Sequence, residues 1–182
     1  MDIPDKLNRI VPPSEYNFRN GFSNHLLIDE LNDKEKNEIE NLLIKKLQDG
    51  SEDSLIFETL SYLNSKNAVS LMLKSLENCQ NALQQIKIAI SIYKINHDNK
   101  MVDFVSKAFN KLNNEYDLIS SFSYLEEFKD RNINELIEKY THNSDFLIAY
   151  NAKRVLGINT YWYVKAQSFN QLLKTIRGHL SK

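Results

Sequence analysis

Apolar residues recur at three- and four-residue intervals through most of this chain, and they do so in two alternating patterns. The first runs IENLLIKKL (39–47), AVSLMLKSL (68–76), MVDFVSKAF (101–109) and NINELIEKY (132–140), with starts 29, 33 and 31 residues apart. The second runs TLSYL (59–63), AISIY (89–93), SFSYL (121–125) and AKRVL (152–156), with starts 30, 32 and 31 residues apart. Each first-pattern segment carries one apolar stripe, for example Ile39, Leu42, Leu43 and Leu47, and predicts one amphipathic helix. The second-pattern helices have inward columns of Ile56, Leu60 and Leu63, then Ile86, Ala89, Ile90 and Tyr93, then Leu118, Phe122 and Leu125.

Helix-start chemistry falls between the stripes: Asp33 before KEKNEIENLL, Gly50 and Ser51 before the next helix, and Asn114 with Asp117 three residues on, close to a capping box. The implied turns are two to five residues long, so consecutive helices pack antiparallel as hairpins. A hairpin of this size cannot bury its own stripe and has to stack on its neighbours. The expected fold class is therefore all-α: a short right-handed α-α superhelix of about four helical hairpins. A single domain, 1–182, would comprise an N-terminal cap (1–33), the hairpins (34–158) and a C-terminal capping helix (159–182). The cap contains all three prolines and a short helix within NHLLIDEL, and the last helix is expected from Tyr163 to Ile176, with Val164, Phe169, Leu172, Leu173 and Ile176 inward.

The stretch IAYNAKRVLGI (148–158) resembles the second helix of a HEAT-type repeat, in which an alanine is followed four residues later by Leu-Gly. Ala152, Leu156 and Gly157 match that pattern, and Thr59/Leu63, Ala89/Tyr93 and Ser121/Leu125 are looser copies. Tetratricopeptide repeats have a longer period and a Trp, Leu-Gly and Tyr signature that is missing here. The resemblance covers roughly residues 34–158 and implies a HEAT-like α-solenoid, whose second helices line the concave, binding surface. Compact bacterial solenoids of this kind are similar to adaptors and to immunity proteins that neutralise a toxin. A structural subunit of a larger assembly is a further reading.

Composition narrows the setting. Four glycines and three prolines, the latter all before residue 14, suit long helices joined by polar turns. The lone Cys79 cannot close an intrachain disulfide, MDIPDKLNRI lacks the basic and apolar parts of a secretory leader, and the apolar stretch IKIAISIYKI (86–95) is too short to span a bilayer. These features lead to the expectation of a cytoplasmic protein, monomeric on its own and without membrane contact, and the many Asn, Lys and Ile residues fit an AT-rich bacterial genome.

The net charge of −1 conceals an asymmetry. Residues 1–145 hold 17 basic and 24 acidic residues, whereas 146–182 hold six basic residues (Lys153, Arg154, Lys165, Lys174, Arg177 and Lys182) and no acidic one. Such a split steers charged partners toward one end. Interleaved with these cations are Phe146, Tyr150, Tyr161, Trp162, Tyr163 and Phe169. Rings and cations together can also serve nucleic acid, and HEAT-like proteins that process DNA bases, the alkyl-base glycosylases, are a precedent. That reading is the alternative to protein binding, and the slightly acidic pI of about 6.4 counts against it.

Catalytic and metal chemistry find little support. His25, His97, His142 and His179 never fall three or four residues apart, and His97 and His142 are expected to close helices, where a cation is mildly favourable. No phosphate-binding glycine loop or nucleophile motif occurs, and Glu126 and Glu127 point to different sides of a helix. No catalytic residue, metal ligand or cofactor is assigned, and a non-enzymatic role is expected. The outward positions of the second helices are Glu58, Ser61 and Asn64, then Lys87, Ser91 and Lys94, then Ser120, Ser123 and Glu126, then Tyr150, Asn151 and Arg154. Phe57, Ile88 and Ile119 lie near them, as if in a mixed apolar and charged groove. Glu58, Lys87, Lys94, Glu126, Tyr150, Arg154, Trp162 and Lys165 are the candidate partner-binding residues. Lys153 falls in the column of Leu60, Ile90 and Phe122, so either the register slips there or that unit's core is open.

Overall fold

A computed structural model describes residues 9–13 and 22–168, and every regular element among them is helical. The elements are α1 (His25–Asp29), α2 (Asp33–Gln48), α3 (Ser54–Tyr62), a 3-10 turn (Lys66–Ala68), α4 (Val69–Asn78), α5 (Ala82–Asn96), α6 (Lys100–Phe109), α7 (Glu115–Glu126), α8 (Arg131–Glu138) and α9 (Phe146–Val155). Residues 161–168 are helical as well. The protein is all-α, with each predicted stripe on a helix of its own. No helix among the described residues is long and apolar enough to cross a membrane.

Asparagine and aspartate do the work of starting these helices. Asn32, Asp53, Asn81, Asn114, Asp130 and Asp145 each accept a backbone N–H from the first turn that follows. Asn32 and Glu35 form a reciprocal box, each accepting the other's N–H at 3.0 Å. Two of the expected starts thus shift: Asn32, not Asp33, caps α2, and Asp53, not Ser51, caps α3. Gly50 instead ends α2, at φ +89°, in a Schellman turn where the Ser51 N–H reaches the Lys46 carbonyl at 3.0 Å. Asn114 accepts the Asp117 N–H at 2.8 Å and donates to the Asp117 carboxylate at 2.6 Å. The α8–α9 connection (139–145) is longer than the expected turn, and His142 lies in it, beyond the end of α8. His97 does close α5, in a left-handed conformation.

The chain divides into two compact units, Met1–Leu112 and Asn113–Lys182, and the division falls in the turn between α6 and α7, inside the third predicted hairpin. In the N-terminal unit, α2 packs on α3 and on α4, while α3 packs on α5, and α5 also packs on α4 and α6. First helices thus stack on first helices, and second on second, which buries the stripes that a lone hairpin leaves open. The core includes Phe57, Leu60, Met72, Ile86, Ala89 and Val105, all less than 1% exposed. Ahead of α1, the buried Asn24 donates to the Ile10 carbonyl at 2.8 Å and to the Thr59 hydroxyl at 2.9 Å, tying residues 9–13 to α3. In the C-terminal unit α7 packs on α9, and α8 touches both, around Phe122, Leu125, Ile133, Ile137 and Ala149.

Both units share a column of small residues. Thr59, Ala89, Ser121 and Ala152 are all buried, which lets neighbouring helices approach. Thr59 and Ser121 satisfy their hydroxyls on their own helices, at the Leu55 and Leu118 carbonyls (2.7 and 2.6 Å).

Candidate functional site

The second-helix face in the N-terminal unit is less open than its polarity implies. Ser61 and Ser91 are buried, and Ser91 donates to the Lys87 carbonyl at 2.9 Å. Phe57 and Ile88 are sealed in the core and are no part of a groove, and in the C-terminal unit Ile119 is half-buried. The reason is that α3 and α5 are each flanked on more than one side, so residues off the main stripe are covered by a second neighbour. Glu58 and Lys87 are half-buried and Lys94 is exposed. Glu58 lines a small depression of about 90 Å³ with Phe22, Asn24 and His25. A second depression, of about 210 Å³, lies between the C-terminal ends of α2 and α4, beside Glu52 and Lys74.

Two side chains of this unit, Tyr62 and Cys79, have raised pKa values. The Tyr62 hydroxyl donates to both oxygens of Asp29, at 2.8 and 2.9 Å, which raises its pKa above the ordinary 10.0, and its ring stacks on His25 at 3.9 Å. Burial raises the Cys79 thiol above 9.0, so it stays protonated and a poor nucleophile near neutral pH.

The C-terminal unit gathers its rings and cations into two tiers. In the inner, half-buried tier the Phe146 ring lies between Tyr150, at 5.9 Å, and Tyr163, at 5.1 Å and nearly parallel. Lys153 stands over Tyr163 at 4.7 Å and donates to the carbonyl of the buried Thr141. Its place in an apolar column has a physical account: the residue is half-buried, and its ammonium satisfies a backbone group of the long α8–α9 connection. Lys153 thus links α9 to the α8–α9 connection and to Tyr163.

The outer tier is exposed. Tyr161 is 54% and Trp162 73% accessible, with the two rings edge to face at 5.1 Å. The Lys165 ammonium sits 4.6 Å from the Tyr161 centroid and 5.7 Å from that of Trp162. Arg154 is exposed on α9, two turns beyond Leu147, which is 56% accessible. Ile158 and Val164 add to the apolar surface, so Val164 is not inward as expected. Phe169, Leu172, Leu173, Ile176 and the cations Lys174, Arg177 and Lys182 lie outside the described residues.

The structure therefore brings Tyr150, Trp162 and Lys165 into ring and cation clusters of one unit. Glu126 is exposed at the end of α7, and Glu58, Lys87 and Lys94 belong to the other unit. Phe146, Lys153 and Tyr163 are the residues whose joint role the repeat pattern did not reveal, although the misplaced lysine was a signal of it. No group of three or more metal-ligating side chains forms among the described residues. No family model matches the chain, and no curated protein or solved structure matches it significantly.

Proposed function

We propose that this chain is a non-enzymatic, HEAT-like binding scaffold whose partner is another protein, in the manner of a bacterial adaptor or a toxin-neutralising immunity protein. The observation that carries this reading is the outer tier: Tyr161 and Trp162 stand in solvent under a lysine, on a stretch with no carboxylate side chain from residue 146 onward. Monomeric proteins rarely leave large rings grouped in water, and Trp, Tyr and Arg are the residues that dominate protein interfaces. The stacking of second helices in the N-terminal unit supports the repeat-scaffold part of this reading.

Affinity capture from cell extract with the wild-type chain and a Trp162→Ala, Lys165→Glu variant tests the reading. One protein recovered in stoichiometric amount, and binding again when both components are pure, is the expected result. Recovery only of nuclease-sensitive nucleic acid would replace it with the nucleic-acid reading, which rings and cations together can also serve.

A further inference from the structure

Which partner would the outer tier take? Among the described residues, Arg154 has no ion pair, and the Lys165 ammonium is held by the faces of two rings. A ring-held ammonium keeps most of its charge available, so an arriving carboxylate has no existing salt bridge to break. The chain's own residues 169–182 add Lys174, Arg177 and Lys182 to this region and no acidic side chain. Beside the cations, Leu147, Tyr161 and Trp162 offer apolar area that carboxylates alone would leave wet.

We propose that Tyr161, Trp162 and Lys165, together with Arg154 exposed at the end of α9 in the same unit, dock an acidic protein segment that also carries apolar side chains, its carboxylates meeting Lys165 and Arg154 and an aliphatic group covering the Trp162 ring. The proposal rests on the protein-binding reading above and names the class of partner. Charge complementarity selects it over nucleic acid. A long polyanion would have to approach a chain whose residues 1–145 carry an excess of seven negative charges, whereas a short acidic segment fits within the cationic region. Nucleic-acid affinity also grows with the number of phosphates neutralised, and among the described residues one ammonium, that of Lys165, lies against the Tyr161 and Trp162 rings.

Trp162 is the sole tryptophan, so its fluorescence reads this surface directly. The full chain is titrated with a short synthetic peptide of Asp, Glu and Leu, with the same peptide carrying Asn and Gln in place of the acids, and with a single-stranded oligonucleotide. The acidic peptide should move Trp162 emission to the blue in a saturable way, more tightly at low salt, and the amide peptide should not. An Arg154→Glu, Lys165→Glu variant with unchanged melting should bind the acidic peptide at least about tenfold more weakly. An unmoved emission, equal response to the amide peptide, undiminished binding by the variant, or preference for the oligonucleotide each overturns the proposal. A blue shift on raising protein concentration alone would do so too, by making a second copy the occupant. A purified protein partner that binds wild type and variant equally would end this proposal and leave the protein-binding reading intact, whereas a chain that binds no protein ends both.

Discussion

The same repeat columns meet opposite fates in the two units. The column of Ser61 and Ser91 is buried in the N-terminal unit, while its continuation, Ser123 and Arg154, is exposed in the C-terminal unit. Leu60, Ile90 and Phe122 fill a core column, whereas Lys153 occupies its last place with its charge turned to a carbonyl and a ring. Of the large apolar side chains that stay exposed, Leu147, Ile158, Tyr161, Trp162 and Val164 lie in one stretch of the C-terminal unit. A helix such as α5, flanked by α3, α4 and α6, needs apolar or small residues nearly all round, and it has them. On the exposed side of residues 146–168 the pattern is released from packing, and Arg154, Tyr161, Trp162 and Lys165 take positions that burial does not dictate.

The largest effect that sharpens this contrast should come from Phe57→Ala. Deleting a fully buried ring from the N-terminal unit should cost about 3–5 kcal/mol in urea unfolding. Asn24→Ala should follow at about 2 kcal/mol, because it leaves the buried Ile10 carbonyl without its donor, and Asn24→Asp should not rescue it. Lys153→Ala should cost about 1 kcal/mol by loosening the Thr141 carbonyl and the Tyr163 ring, with Lys153→Glu worse than Lys153→Ala. Trp162→Ala should change stability by no more than about 0.5 kcal/mol while removing partner binding. A cost for Trp162→Ala comparable to that for Phe57→Ala would erase the distinction between the regions.

A smaller effect concerns alkaline pH. The fold raises the pKa of both Tyr62 and Cys79, so it favours their protonated forms over those of the unfolded chain. The stabilisation is complete below the ordinary values of 9.0 and 10.0 and is lost as pH rises through the raised ones. Thermal midpoints should decline above about pH 9, and Tyr62→Phe should shallow that decline without abolishing it, since Cys79 remains.

Much of this architecture was legible because helix-period stripes and short polar turns act locally. Helix existence followed from Ile39, Leu43 and Leu47 or Val102, Val105 and Phe109, and the abundance of asparagine found its use in capping. What was not legible depended on third bodies. Whether Ser61, Ser91, Phe57 and Ile88 face water is decided by which other helices flank α3 and α5, and no single helix encodes that. The caps moved by one or two residues because Asn32, Asp33, Ser51 and Asp53 are all competent, and backbone geometry selects among them. At the candidate site, charge asymmetry and ring content were visible in sequence. The division into an inner clasp (Phe146, Tyr150, Lys153 and Tyr163) and an outer cluster (Tyr161, Trp162 and Lys165) needed coordinates.

Collisional quenching of Trp162 in the free protein tests most directly the central claim that a solvent-facing ring stands on a cationic surface. With one tryptophan in the chain, the signal has one source. The account predicts red, water-like emission that iodide quenches more strongly than caesium does, with the difference shrinking as sodium chloride screens Arg154 and Lys165. Blue emission that neither ion quenches, or stronger quenching by caesium, would contradict it.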